Sequence, residues 1–249
     1  MQEQFGAVAL AYVTSPGHAG GEDLARLVAW GRALAPNCVL DVATGGGHTA
    51  LAFAGVAPRV TAYDVTEPML RAARGLVRER GATATFVTGD VEALPFREGA
   101  FDLVTCRIAA HHFADVAAAV REIRRVLRSG GSLLLQDILG HDDAEAAAFV
   151  TEVERRRDPS HVRAYRAVEW KAFLRAAGLT VMDTAVIAKG RPWDEWTART
   201  RMTPESRREL EAFVRAAPER CRAAFDFRLV DGRVESFTDR MLLVRADRD

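Results

Sequence analysis

The sequence contains little lysine, few cysteines and no excess charge of either sign. Lys171 and Lys189 are the only lysines among its 249 residues. A Walker phosphate-binding loop requires a lysine directly after its glycines, so the lack of lysine before residue 171 excludes that kind of site. The three cysteines are odd in number and far apart. They do not suggest a disulfide framework, and we expect a reducing, cytoplasmic setting.

Two further absences restrict the partners that the chain can have. No uninterrupted apolar run reaches the roughly 18 residues that span a bilayer, and no basic segment followed by an apolar one opens the chain. Acidic and basic residues balance at 34 each, so no net field attracts a polyanion. We therefore expect no membrane span and no nucleic-acid partner. The composition leaves a monomer or a homodimer equally open.

Short apolar runs alternate with segments of helical spacing along most of the chain. The five clearest runs are CVLDVA (38–43), RVTAYD (59–64), ATFVTG (84–89), FDLVTC (101–106) and GSLLLQD (131–137). This alternation predicts an α/β fold with a mostly parallel sheet and helices on both faces. In the helix after the second run, Thr66 is predicted as the N-cap and Pro68 occupies the first turn. Five apolar side chains are expected to face inward there: Met69, Leu70, Ala73, Leu76 and Val77.

The chain divides into three parts by pattern. Residues 1–36 form an N-terminal arm and helix, 37–140 the ligand-binding core, and 141–249 further helices and the last strands of the same sheet. A helical region rich in Trp and Arg runs from 192 to about 217, before a hairpin at 231–232 and a final strand. Inserted before that strand, this region is expected to cap the carboxyl edge of the sheet, where ligands bind in open α/β folds.

The glycine turn in VLDVATGGGHTALAF (39–53) has several possible ligands. Gly45, Gly47 and Ala50 spell the GxGxxA of dinucleotide-binding sites, but that pattern does not align with the end of the preceding strand. Asp41 lies near the carboxyl end of the same strand. A carboxylate there repels a pyrophosphate and attracts an ammonium or a sulfonium, so we expect a ligand with positive charge at this end.

Two more carboxylates follow the next strand ends. Asp64 ends the second strand, where it can accept hydrogen bonds from a ribose diol. Asp90 follows the third strand and can accept from an exocyclic amine, with Val91 beside the base. Nicotinamide and adenosyl ligands both satisfy this arrangement, so the residues alone leave both open.

Five motifs in order carry a family resemblance: LDVATGGGHTA, AYDVTEPML, TGDVEALPF, FDLVTCRIAAHHF and REIRRVLRSGGSLLLQD. Residues 37–137 closely resemble class I S-adenosylmethionine-dependent methyltransferases of type 11, similar to the ubiquinone and menaquinone biosynthesis enzymes. The resemblance implies a Rossmann-like, seven-stranded sheet with a helical cap. It also implies S-adenosylmethionine as cofactor and S-adenosylhomocysteine as product.

The resemblance also implies roles for individual residues. Asp41, Gly45 and Gly47 would lie along the methionine part and the ribose, and Asp64 would bind the ribose hydroxyls. The remaining cofactor contacts it implies are Tyr12, Ala43, Val65, Met69, Asp90, Val91 and Arg107. The family usually has glycine at position 43, so the Ala43 methyl group is a departure that narrows the approach to the methionine.

The transferred methyl group needs an acceptor held in line and shielded from water, and a general base is optional. His112, His111 and Tyr12 are the catalytic candidates, and no metal site is expected. Seven aromatic residues of the cap region suit a small apolar or aromatic acceptor, or else form the core of the cap: Phe149, Tyr165, Trp170, Trp193, Trp196, Phe213 and Phe225. The competing hypotheses are an NAD(P)-dependent oxidoreductase and a protein that binds the adenosyl ligand without transfer.

Overall fold

A computed structural model describes residues 19–200 and 202–249. Eight strands form one sheet. They are β1 (Cys38–Val42), β2 (Arg59–Asp64), β3 (Thr85–Thr88), β4 (Phe101–Arg107), β5 (Leu127–Ile138), β6 (Leu179–Pro192), β7 (Arg228–Val230) and β8 (Arg233–Arg248). The helices of eight or more residues are α1 (Glu22–Leu34), α3 (Glu67–Glu79), α4 (Val116–Val126), α5 (Ala144–Arg157), α6 (Ala167–Ala176) and α8 (Pro204–Ala216). The shorter ones are α2 (His48–Ala54), α7 (Trp193–Ala198) and α9 (Glu219–Ala224).

The sheet order is β3-β2-β1-β4-β5-β8-β6, and β7 forms a hairpin with the start of β8. Strands β1 to β5 pair in parallel, whereas β8 is antiparallel to both β5 and β6. The predicted α/β fold with a mostly parallel sheet is confirmed, and its seven-stranded path carries one extra short strand. Because the chain order reverses between β1 and β4, the carboxyl ends of these strands open a crevice at a topological switch point.

Helix α3 illustrates how the sequence specifies one element. Thr66 is its N-cap residue, Pro68 lies in its first turn, and all five predicted inward side chains are buried. A proline in the first turn removes an N–H that has no partner inside a helix anyway, and its fixed φ favours the helical start. Burial of these five side chains packs α3 against the sheet. This packing places the β2–α3 turn beside the crevice.

Buried apolar residues form three clusters. Two of them cover the two faces of the sheet, around Leu40 and Val104 on one side and Val39 and Leu103 on the other. The third lies between α5, α7, α8, α9 and the first part of β8. The helices after β6 therefore have a core of their own. Among the described residues, no helix combines the length and apolar composition needed to cross a bilayer.

Candidate functional site

A cavity lies at the carboxyl ends of the five parallel strands. Residues at or just beyond each of these ends line it, and α5, β6, α7 and β8 close it from the cap side. Ten of the residues predicted for the site line this cavity: Ala43, Gly45, Asp64, Val65, Met69, Asp90, Val91, Arg107, His111 and His112. Asp41 and Gly47 do not, and Tyr12 lies outside the described residues.

The glycine turn has left-handed backbone at several positions. Gly45 has φ +54°, a Cβ built on it would meet open space, and its N–H donates to the Asp64 carboxylate at 2.8 Å. Gly47 has φ +84°, and a Cβ there would lie 2.7 Å from the Cβ of Ala73 in α3. Gly45 therefore leaves room beside the cavity, whereas Gly47 allows α2 and α3 to pack closely.

Two residues with side chains also adopt left-handed backbone in the cavity wall. Ala43 has φ +50° and Ile108, directly after β4, has φ +54°. The φ of Ala43 gives a backbone reason for the glycine that the family usually has at this position. A branched side chain in this region is rare and costly, and such strain concentrates at functional sites.

Asp41 is fully buried beneath the turn. Its carboxylate accepts hydrogen bonds from the hydroxyls of Thr44 at 2.6 Å and Thr105 at 2.7 Å. Burial raises its pKa to about 6, while the two hydroxyls oppose the shift. The two hydroxyls therefore compensate part of the cost of burying the carboxylate, without a cationic ligand. The sequence argument for positive charge at this point missed Thr105, which arrives from β4.

Asp64 and Asp90 stand on the same wall of the cavity. Asp64 is buried and accepts the backbone N–H groups of Gly45 at 2.8 Å and Thr66 at 2.9 Å. Burial raises its pKa although both amides oppose the shift. Asp90 accepts the N–H of Glu92 at 3.0 Å and so begins a short turn that carries Val91. The Asp64 carboxylate thus joins the loops after β1 and β2, whereas the Asp90 carboxylate accepts a hydrogen bond within its own loop.

Arg107 connects the cavity to a buried polar network. Its Nε donates to Thr49 at 2.9 Å, and its Nη1 lies 3.3 Å from Asp23. Asp23 also accepts from Gln136 at 2.8 Å and pairs with Lys189 at 3.2 Å. Sequence reasoning missed Asp23, because an acidic residue in the first turn of an amphipathic helix usually faces water.

His111 and Asp137 form a buried pair. The His111 Nδ1 lies 2.5 Å from the Asp137 Oδ1, and the His111 backbone N–H donates to the Oδ2 at 2.8 Å. Burial alone would lower the pKa of His111, but the adjacent carboxylate dominates and the pKa lies above its usual value. With Nδ1 facing Asp137, Nε2 is the ring nitrogen that can exchange a proton elsewhere.

The rings of His112 and His161 lie close to the ring of His111. The ring centroids of His111 and His112 lie 4.1 Å apart, and those of His111 and His161 lie 5.2 Å apart. Burial and then the neighbouring His111 lower the pKa values of both His112 and His161 to about 3. Both rings are therefore neutral at pH 7. In the described part of the chain, no group of three or more His, Cys, Asp or Glu side chains is placed to hold a metal ion.

The cap side of the cavity is charged. Glu154 and Arg157 form an ion pair at 3.0 Å on α5, and Arg191 and Asp239 form another at 2.5 Å between β6 and β8. Arg199 completes this wall. Glu154, Arg191, Arg199 and Asp239 were not predicted. The sequence pattern could have identified Asp239, because it is a carboxylate in a strand whose alternate residues are buried and apolar.

Only one of the seven predicted cap aromatics, Trp196, lines the cavity. The third apolar cluster contains Phe149, Trp193 and Phe225. The cluster on one face of the sheet contains Tyr165 and Trp170. Phe213 stacks on Phe149. Four of the seven aromatics thus belong to the core of the cap and two pack on the sheet, so these residues do not form an aromatic pocket.

Comparisons with known proteins agree with this geometry. The family model described as "Methyltransferase domain" matches residues 40–135. The Bacillus subtilis (strain 168) protein "Uncharacterized methyltransferase YcgJ" is 35% identical over 229 residues, which cover 91% of this chain and 90% of that protein. The "Demethylmenaquinone methyltransferase" of Thermus thermophilus is 43% identical over 103 residues, covering 41% of this chain and 47% of that enzyme.

Solved structures match over most of the chain. The BH2331 protein of Bacillus halodurans C-125 superposes with a TM-score of 0.88 at 40% identity, covering 92% of this chain and 99% of that one. The crystal structure of YcgJ superposes with a TM-score of 0.87 at 33% identity, covering 91% and 97%. Together with the cavity at the switch point and the likeness along nine tenths of the chain, these matches show that the chain belongs to the class I methyltransferase family.

Proposed function

We propose that the protein transfers a methyl group from S-adenosylmethionine to a small-molecule acceptor. The observation that carries the proposal is the alignment of Gly45, Asp64 and Asp90 on one cavity wall, at the ends of three adjacent parallel strands. The open space beside Gly45 lets the backbone approach a ligand. The name of the Thermus thermophilus relative, "Demethylmenaquinone methyltransferase", supports a metabolite rather than a macromolecule as acceptor.

The cavity residues fit this cofactor in order. Asp64 would accept the ribose hydroxyls, since its two amide partners leave other lone pairs of its oxygens available. Val65, Met69 and Val91 would flank the adenine, Asp90 would accept its amine, and Arg107 would lie at the methionine end. When bound, the cofactor supplies an electrophilic methyl group on a positively charged sulfur.

His111 is the base that we propose for an acceptor that loses a proton. Its Nε2 would take the proton from the acceptor atom as that atom bonds to the methyl group, and Asp137 would stabilise the resulting imidazolium. His112 was the first candidate from the sequence, but a pKa of about 3 makes it a weak base at neutral pH. We assign His112 to the wall of the cavity.

Calorimetry with S-adenosylhomocysteine, NAD and NADP tests the cofactor. Of these three ligands, we expect only S-adenosylhomocysteine to bind. The Asp64→Ala variant should bind it more weakly by about 1 to 3 kcal/mol, because the ribose hydroxyl donors lose their acceptor. Asp142→Ala, a change at an exposed loop residue, is the matched control and should bind normally. Tight binding of NAD or NADP without S-adenosylhomocysteine would instead favour an oxidoreductase.

Turnover tests transfer and the base. Release of S-adenosylhomocysteine with a panel of small acceptors distinguishes an enzyme from a protein that only binds the cofactor. With an active acceptor, His111→Ala should lower kcat by about 100-fold or more while cofactor affinity is retained, a loss in the range of general-base catalysis. His112→Ala should lower kcat by less than about 10-fold. If His112→Ala lowers kcat more than His111→Ala does, His112 is the base instead.

A further inference from the structure

Arg191 occupies an unusual place in the cavity wall. It lies one residue before the end of β6, its side chain is 8% exposed, and its Nε contacts the Asp239 Oδ2 at 2.5 Å. Within the described residues its two terminal amino groups make no hydrogen bond. A buried guanidinium normally uses most of its five donors. We therefore expect the two terminal amino groups of Arg191 to bind an acceptor group.

Arg191 is surrounded by other charged side chains on the cap side of the cavity. The cap side of the cavity presents Arg157, Arg191 and Arg199 against the carboxylates of Glu154 and Asp239. Arg157 is engaged by Glu154 at 3.0 Å and lies over the Trp196 ring at 4.4 Å from its centroid. Arg191 thus lies in a wall that already holds other guanidinium groups, and its own terminal amino groups remain available to a ligand. A buried donor without an acceptor is costly, so a ligand with an acceptor group gains by binding there.

The adenosyl end of the cavity has the opposite character. Asp64, Asp90 and Glu92 line it, so an anion placed there is repelled. His111, the proposed base, lines the same cavity as Arg191. An anionic group on the acceptor is therefore favoured beside Arg191, in the cavity that His111 also lines.

Resting on the proposed function, we infer that the methyl acceptor is a small organic acid whose carboxylate binds the terminal amino groups of Arg191. The planar fork of arginine matches a carboxylate through two parallel hydrogen bonds, and Asp239 orients it from behind. The flat face of Trp196, which lines the same wall, would contact the apolar part of the acid.

Binding of matched probes to the protein saturated with S-adenosylhomocysteine tests this inference. Benzoate and phenylacetate are compared with benzamide and phenylacetamide by ligand-observed NMR titration. We expect each acid to bind at least about 10-fold more tightly than its amide, since only the carboxylate accepts two charge-assisted bonds. If no acid binds more tightly than its amide, the inference is overturned.

Variants identify the residue responsible. Asp239→Asn keeps Arg191 and should retain the preference for acids, whereas the double variant Arg191→Gln/Asp239→Asn removes both buried charges together and should abolish it. Arg121→Gln, at a side chain that is 62% exposed, is the surface control and should change nothing. A preference that survives in the double variant overturns the assignment to Arg191.

S-adenosylhomocysteine affinity separates the two proposals. It should be unchanged in the double variant if Arg191 binds the acceptor. A loss of 10-fold or more would mean that Arg191 binds the methionine carboxylate of the cofactor, which overturns this inference and leaves the proposed function intact. Absence of S-adenosylhomocysteine binding in the unmodified protein would instead overturn the proposed function.

Discussion

Asp137 holds His111 at two points, through the imidazole Nδ1 at 2.5 Å and through the backbone N–H at 2.8 Å. Both side chains are buried. The carboxylate therefore sets the orientation of the ring as well as its pKa, and it leaves Nε2 for exchange with a substrate.

Asp137→Asn should make the stability of the fold less dependent on His111 protonation. The raised pKa of His111 means that its protonated form stabilises the folded state. This contribution is fully present below the unfolded pKa of about 6.5 and is lost as pH rises through the folded value. The variant should therefore lose more stability at pH 6 than at pH 9. Urea denaturation at both pH values measures the difference, and equal losses would contradict the prediction.

Asp41→Asn should stabilise the protein at alkaline pH. The folded pKa of Asp41, about 6, exceeds the usual value of about 3.9, so its charged form is disfavoured in the fold. That penalty is fully present above the folded pKa and is relieved as pH falls through it toward the unfolded value. The variant should gain on the order of 2 kcal/mol at pH 8 and less at pH 5. Urea midpoints test this, and a gain that does not vary with pH would exclude titration of Asp41 as its cause.

Ala43→Gly should stabilise the fold. Ala43 has φ +50°, and left-handed backbone costs a residue with a Cβ about 1 kcal/mol or more. Because glycine lacks this cost but is more flexible when unfolded, we expect a net gain of about 0.5 to 1 kcal/mol. Ala148→Gly, at an exposed interior position of α5, should instead lose about 1 kcal/mol. Thermal unfolding of both variants measures these changes in stability, and a less stable Ala43→Gly protein would contradict the prediction.

Gly47→Ala and Gly45→Ala should separate packing from ligand approach. A Cβ at Gly47 would lie 2.7 Å from the Ala73 Cβ, so α2 and α3 must move apart at a cost of about 1 to 3 kcal/mol, in addition to the cost of about 1 to 2 kcal/mol for its φ of +84°. A Cβ at Gly45 meets no atom within 4 Å, so that variant should lose only about 1 to 2 kcal/mol for its φ but bind S-adenosylhomocysteine more weakly. Chemical denaturation and calorimetry on both proteins check this, and equal stability losses would refute the distinction.

The local elements were predictable because each depends on neighbouring residues. The start of α3 at Thr66 and Pro68, its buried stripe and the hairpin at Asp231 and Gly232 follow from capping and turn preferences. Asp64 and Asp90 could also be located, since parallel strands bring their carboxyl ends to one edge.

The remaining features depend on residues that are distant in sequence. Asp41 receives a hydrogen bond from the hydroxyl of Thr105, 64 positions away, and this contact supplies part of the compensation that the sequence argument had assigned to a cationic ligand. The seven aromatics of the cap could line a pocket or fill a core, and helical spacing does not distinguish the two. The structure places six of them away from the cavity.

By itself, the sequence determined the alternation of strands and helices and the carboxylates at the strand ends, since local periodicity and parallel pairing are sufficient for both. Only the tertiary structure decided which charged residues face the cavity. Arg191 and Asp239 meet because β6 and β8 are antiparallel neighbours, and His111 meets Asp137 because the turn after β4 lies over the end of β5. Burial and long-range pairing set the charge and pKa of such groups, and neither follows from local pattern.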